Sequence, residues 1–221
     1  MKKIGQKEIY ETIEEIVDPA HTALLVIDIQ NDHGAQGFLA KSGRDVSWVL
    51  NILPNVKKVL AEARRRGMLI VFTSNTISKD LKVESPAQIR HLSKASHIPD
   101  LQGYELEHSW GNAVLDELER RPEEPWIAKY RSSAFHGTQL DLLLRNSNIE
   151  AAVIVGLVTE GCVESSVRDV LGYGYYPVLL RDCITSSRRD LHDAAMLVMS
   201  ARYDIIDSKD LLSAWGKFQR Y

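Results

Sequence analysis

Cysteine is scarce in this chain. Its 221 residues include 2 cysteines, Cys162 and Cys183, too few for a disulfide framework. No CxxC or HxxxH spacing offers a structural metal site. Long hydrophobic runs are missing too: none approaches the roughly 18 residues that a membrane helix needs. The opening Met1-Lys2-Lys3-Ile4-Gly5 leads into acidic residues instead of an apolar signal core. Positive charge is not in excess. The formal net charge is -3 and no Lys/Arg stripe is present, which argues against nucleic acid as a partner. Arg64-Arg65-Arg66 reads as the last turn of a helix before Gly67, where cations suit the helix dipole. Tandem repeats and low-complexity linkers are also lacking. These absences lead to the expectation of a cytoplasmic protein without a membrane span, with residues 1–221 forming one domain and 1–20 an arm or short helix.

What is present reads as an α/β enzyme. Apolar residues make up 44% and charged residues 26%, as in an ordinary soluble domain. Continuous apolar runs read as strands at Ala23–Ile29, Met68–Thr73, Trp126–Tyr130, 152–156 and Pro177–Leu180, with a short sixth near Asp204–Ile206. Between them, helical patterns are expected at Pro54–Arg66, 111–120, Thr138–Arg145 (Thr138 as N-cap), 162–172 and 189–202, with a last helix from Ser208. Residues 75–110 are polar and carry Pro86 and Pro99 without sustained periodicity. So long a connection in a compact domain is usually functional. The alternation predicts a three-layer α/β/α fold with a doubly wound, mainly parallel six-stranded sheet, whose commonest order is 3-2-1-4-5-6.

In such a sheet, ligands bind beyond the carboxyl ends of the strands. Three chemically loaded residues fall there. Asp28 lies in Val-Ile-Asp-Ile-Gln, Lys129 ends Trp-Ile-Ala-Lys, and Cys162 follows Val-Ile-Val-Gly-Leu-Val-Thr-Glu-Gly. A charge at the end of a buried strand is expensive unless paired or used. Asp28 and Lys129 taken alone are equally well read as a buried ion pair without chemistry. A thiol at a helix start is expected to have a lowered pKa, and its alternative is a small buried hydrophobe. All three at carboxyl ends favour function, because apolar replacements support a fold as well as a charged pair does. Cys183 is read as structural, with Asp182 beside it satisfying loop amides. His33 and His136, near the motifs, are read as local polar contacts or pocket walls.

Val-Ile-Asp-Ile-Gln-Asn-Asp, Lys-Tyr-Arg-Ser-Ser-Ala-Phe and Gly-Leu-Val-Thr-Glu-Gly-Cys-Val-Glu-Ser-Ser-Val-Arg-Asp resemble the isochorismatase-like cysteine hydrolases, in matching order from about residue 20 to 215. The resemblance implies an Asp28–Lys129–Cys162 triad and a cis peptide between Leu157 and Val158. It also implies an oxyanion hole from the Val158 and Cys162 amides. Nicotinamidases of the family carry Asp-x-His and further histidines after the second strand. The stretch here is Ser-Asn-Thr-Ile-Ser-Lys-Asp, with His91 and His97 too late and too far apart, so no metal and no cofactor are expected. The chain is most similar in pattern to ureidoacrylate amidohydrolases and related carbamoyl- and ureide-cleaving members. Phe38, Asn75, Gln102, Trp110, Ser132 and Phe135 are then the candidate substrate contacts. Ser132 departs from the Tyr often found in that subgroup. The implied activity is hydrolysis of a C–N bond in a small amide, ureide or carbamoyl compound. A homodimer or homotetramer is implied as well. Two other readings are a binding protein without turnover and a redox-active thiol protein.

Overall fold

In a computed structural model of the chain, the residues described are 1–218 apart from 97, 99, 100 and 102. The first twenty residues are neither a bare arm nor a single helix. They form a hairpin, β1 (Lys2–Ile4) and β2 (Lys7–Ile9), turning at Gly5 (φ 60°), followed by the one-turn helix α1 (Ile13–Ile16). Thr12 and Glu15 close a reciprocal capping box on α1.

The sheet begins with β3 (Thr22–Ile27), whose six side chains are all buried. After the short helices α2 (Phe38–Lys41) and α3 (Ser47–Leu50) comes α4 (Leu53–Arg65), which opens on Pro54 in its first turn and ends before Gly67. Then follow β4 (Leu69–Asn75), α5 (Pro86–Ser96), β5 (Trp126–Lys129), α6 (Leu140–Asn146) and β6 (Ala151–Leu157). A π-turn over Thr159–Val163 leads into α7 (Glu164–Gly172), and β7 (Tyr176–Thr185), α8 (Arg189–Ser200), β8 (Asp204–Ile206) and α9 (Ser208–Gly216) complete the order.

The six sheet strands lie in the order β5-β4-β3-β6-β7-β8, and every neighbouring pair is parallel. Numbered along the chain, this is the expected 3-2-1-4-5-6. The period-2 alternation of buried strands sorts side chains to two cores. Leu24, Val26, Val153 and Val155 face α4 and α9, together with Trp215. Leu25, Ile27, Ala152 and Ile154 face α6, α7 and α8. The β3–β6 seam is tightest at Gly156, whose φ is 130° and where a Cβ would sit 2.0 Å from the Ile27 carbonyl oxygen.

Several local expectations need correction. The 75–110 stretch contains a helix, α5, that its polar composition concealed. Residues 111–120 form no helix beyond a 3₁₀ turn at Asp116–Leu118. Their backbone groups are committed elsewhere: Asn31 N–H donates to Ala113 O (3.0 Å), Asp32 N–H to Gly111 O (2.9 Å) and Leu115 N–H to Ile29 O (2.8 Å). Thr138 precedes α6 by two residues instead of one. Its hydroxyl still accepts from Leu140 N–H at 3.2 Å. Asp182 caps α9, accepting from Ser208 N–H (2.8 Å) and Ser208 Oγ (2.6 Å), while Cys183 beside it is fully buried.

Candidate active site

Asp28 is the first residue beyond β3. It adopts φ 53°, a left-handed conformation that a short acidic side chain tolerates better than most. Its N–H donates to Thr73 O (3.2 Å), and its Oδ1 accepts from Thr73 Oγ1 (2.7 Å). Lys129 is the last residue of β5, in register with Asn75 of β4. It is fully buried. Its Nζ lies 2.7 Å from Asp28 Oδ2 and donates to Cys162 Sγ (3.1 Å), Arg131 O (3.1 Å) and Asn75 Oδ1 (3.4 Å). Asp28 Oδ2 is fully shielded from solvent, and the lysine is its ion-pair partner.

Cys162 sits inside the π-turn, not at the first turn of an ordinary α-helix. The expectation of a lowered thiol pKa is also corrected. Burial pushes the Cys162 thiol up and Asp28 adds to this, against the downward pull of Lys129. Burial works against charge on Lys129, but Asp28 and then Cys162 outweigh it and hold its pKa above the ordinary value. The site therefore holds a fixed cation beside a thiol whose pKa is raised. The Leu157–Val158 peptide bond is cis, and Val158 is half-buried at the head of the π-turn. The turn is braced by α8, where His192 Nδ1 meets Thr159 Oγ1 at 2.7 Å.

The candidate substrate contacts divide. Phe38 is half-buried in a satellite cluster with Leu39, Val46, Ile98 and Tyr104, its ring 5.5 Å from that of Tyr104. Ser132 is half-buried in the turn after β5. Gln102 lies outside the described residues. Asn75 stands beside the triad, but its amide is engaged at both ends: Oδ1 toward Lys129, and Nδ2 donating to Glu105 Oε2 (2.5 Å). Trp110 and Phe135 are corrections. Trp110 is 48% exposed, donates from Nε1 to Asp116 Oδ2 (3.0 Å) and carries Lys41 over its ring. It lines a surface hollow with Asn31 and Leu115, so it anchors the loop. Phe135 is 4% exposed and stacks on Tyr173 in the α6–α7 core.

Sequence reasoning did not find the polar ring behind the triad. His33, read as a local polar contact or a pocket wall, is buried, with Nδ1 3.0 Å from Asp28 O and Nε2 3.1 Å from Glu105 Oε1 and 2.9 Å from Tyr104 Oη. Burial opposes charge on His33, but Glu105, Asp28 and Asp32 outweigh it and raise its pKa. Both Asp28 O and the Glu105 carboxylate accept, so the doubly protonated ring suits the geometry. Burial, then Glu105 and Asp32, hold the Tyr104 hydroxyl well above its ordinary value. Gln30 stitches the loop after β3 to the end of β4, donating to Asn75 O (3.0 Å) and accepting from Asn75 N–H (3.0 Å). Among the described residues no three His, Cys, Asp or Glu side chains group as metal ligands, and no helix is long and apolar enough to cross a membrane.

A parallel sheet in this order, with a carboxylate, an ammonium and a thiol gathered at its carboxyl edge, defines the isochorismatase-like class of α/β proteins. The chain belongs to the isochorismatase family: the Isochorismatase domain model matches residues 22–210. The ureidoacrylate amidohydrolase RutB of Agrobacterium fabrum is 35% identical over 172 residues, covering 74% of this chain and 75% of the relative. RutB of Cronobacter sakazakii is 37% identical over 172 residues, covering 74% of each. The crystal structure of a cysteine hydrolase from Pseudomonas syringae pv. phaseolicola has the same fold, with a TM-score of 0.76 at 18% identity, covering 91% of this chain and 95% of that one.

Proposed function

We propose that this protein is a cysteine amidohydrolase that cleaves a C–N bond other than a peptide bond, in a small amide, ureide or carbamoyl compound. The observation that carries the reading is Lys129 Nζ, which stands 2.7 Å from Asp28 Oδ2 and 3.1 Å from Cys162 Sγ and so gathers a carboxylate, a cation and a thiol at one point. A buried carboxylate beside a thiol is placed to accept its proton. Asp28 takes the proton of Cys162, and Lys129 stabilises the thiolate. The sulfur attacks the carbonyl carbon, a C–S bond forms, and the electron pair moves to the oxygen. Val158 and Cys162 N–H groups receive that oxyanion. Collapse breaks the C–N bond, and the leaving nitrogen takes its proton from Asp28 to depart as ammonia or amine. Water, deprotonated by Asp28, then hydrolyses the thioester and restores the thiol.

Amidohydrolase names among relatives with about a third of residues identical support this chemistry. The redox alternative is weaker. Cys183 belongs to the core on one face of the sheet, and Cys162 packs against the core on the other. Phe38, Ser132 and Gln102 remain the proposed substrate contacts. Two free thiols support a reducing, cytoplasmic setting. Exposed Leu191, Leu197 and Val198 on α8 support association of identical chains.

The deciding experiment is ammonia release over ureides, carbamoyl amino acids, biuret-like compounds, nicotinamide and aliphatic amides, with Cys162→Ser as control. Turnover of a ureide or carbamoyl compound that vanishes in Cys162→Ser is the expected result. Release that survives the substitution would overturn the mechanism.

A further inference from the structure

The buried acid behind the triad is not used by the steps above. Glu105 is 5% exposed and itself has φ 50°. Its backbone is clamped on both sides: its N–H donates to Asp32 Oδ2 (2.7 Å), and its carbonyl accepts from Ile77 N–H (2.9 Å) and Asn112 Nδ2 (3.2 Å). Its two carboxylate oxygens then point along different paths. Oε2 accepts from Asn75 Nδ2, which leaves Asn75 Oδ1 turned toward Lys129 Nζ. With the amide flipped, an NH₂ group would face the ammonium, so the acid selects the orientation that attracts Lys129. Oε1 accepts from His33 Nε2, and the opposite ring nitrogen donates to the Asp28 carbonyl, at the residue with left-handed backbone.

We infer that Glu105 is a positioning residue whose single carboxylate sets both members of the Asp28–Lys129 pair, one through His33 and the other through Asn75. This rests on the hydrolase reading for its rate consequence, but not for its structural one. Displacing Lys129 removes the group that draws the Cys162 thiol toward thiolate, so the reactivity of the thiol reports on the arrangement without any substrate.

The test is Glu105→Gln in the full chain, which keeps the shape but offers one acceptor where two donors converge. Iodoacetamide labelling of Cys162 at pH 8 is expected to slow by about ten- to a hundred-fold, and kcat to fall in step while KM changes by less than about three-fold. Glu124→Gln is the control, a comparably buried acid paired with Arg64 far from the thiol. It should lower the unfolding midpoint and leave labelling within about two-fold. Should Glu105→Gln fail to fold, His33→Gln and Asn75→Ser each cut one arm, and both are expected to slow labelling. Labelling at the wild-type rate in folded Glu105→Gln, or in either single-arm variant, overturns the inference. Wild-type protein that labels at Cys162 yet hydrolyses no amide would sink the proposed activity while the labelling still decides the role of Glu105.

Discussion

Two ion pairs sit at opposite edges of the same sheet, one fully buried and one largely so, and they are built differently. At the amino edge, Arg64 meets Glu124 twice, Nε to Oε1 at 2.6 Å and Nη2 to Oε2 at 2.8 Å. The Arg64 fork also donates to the Leu118 and Glu119 carbonyls, and Glu124 Oε2 accepts from Arg121 N–H. Both oxygens of Glu124 have hydrogen-bond donors. At the carboxyl edge, Lys129 and Asp28 approach to 2.7 Å at one carboxylate oxygen, and the lysine spends a further donor on a sulfur. A support pair saturates itself because an unmet buried group costs about 1–3 kcal/mol. A reactive pair commits a donor to the atom that will react, here the Cys162 sulfur.

That contrast can be broken most sharply at Asp28. Asp28→Asn is expected to reduce kcat by about 10³-fold or more in the ammonia-release assay, since the acceptor of the thiol proton is gone. Arg64→Met should do the reverse. It strands Glu124 and lowers stability by about 3–5 kcal/mol in urea unfolding, while kcat of the folded protein stays within about two-fold. The acid limb sharpens this. Burial tends to raise the Glu124 pKa, but Arg64 and Arg121 outweigh it and hold it below the ordinary 4.5. Its contribution is therefore full above pH 4.5 and is lost as pH falls through the lower folded value. The stability gap between wild type and Arg64→Met should narrow as urea titrations move from pH 6 to pH 3. For the thiol the shift has the opposite sign. Labelling of free Cys162 should keep rising through pH 9, because burial raises the thiol's pKa above its ordinary value. A plateau near neutral pH would show a resting thiolate and refute that assignment. The smallest effect is expected at Trp110→Phe, with kinetics within about two-fold, because that ring packs on Asp116 and Lys41 at the surface.

The sheet was legible because each of its strands is a run of apolar, β-branched residues and most of the long helices keep a 3.6-residue pattern. Alternation gave the parallel sheet, and its order is the commonest one for a doubly wound fold. Asp28 and Lys129 stood out as charges among such runs, and Cys162 as a thiol after one. The rest of the site left no local mark. Glu105 lies in Tyr-Glu-Leu-Glu, ordinary loop composition, and becomes buried only through partners 72 and 30 residues away. Trp110 and Phe135 were misplaced for the same reason: an aromatic ring in a loop carries no sign of which way it will face. The π-turn was hidden because Val163, Val167 and Val170 keep helical spacing through its junction with α7. Residues 111–120 carried a helical pattern that lost to backbone bonds with the chain after β3.

Gly156 has a consequence for anyone who would redesign this protein. The missing methyl at the β3–β6 seam works as a spacer gauge: with a Cβ 2.0 Å from the Ile27 carbonyl, an alanine would wedge apart the two strands that deliver Asp28 and Cys162. At that point of the seam the two strands meet backbone to backbone. Libraries aimed at new substrates should therefore draw their variation from the loops around the crevice and leave this seam untouched.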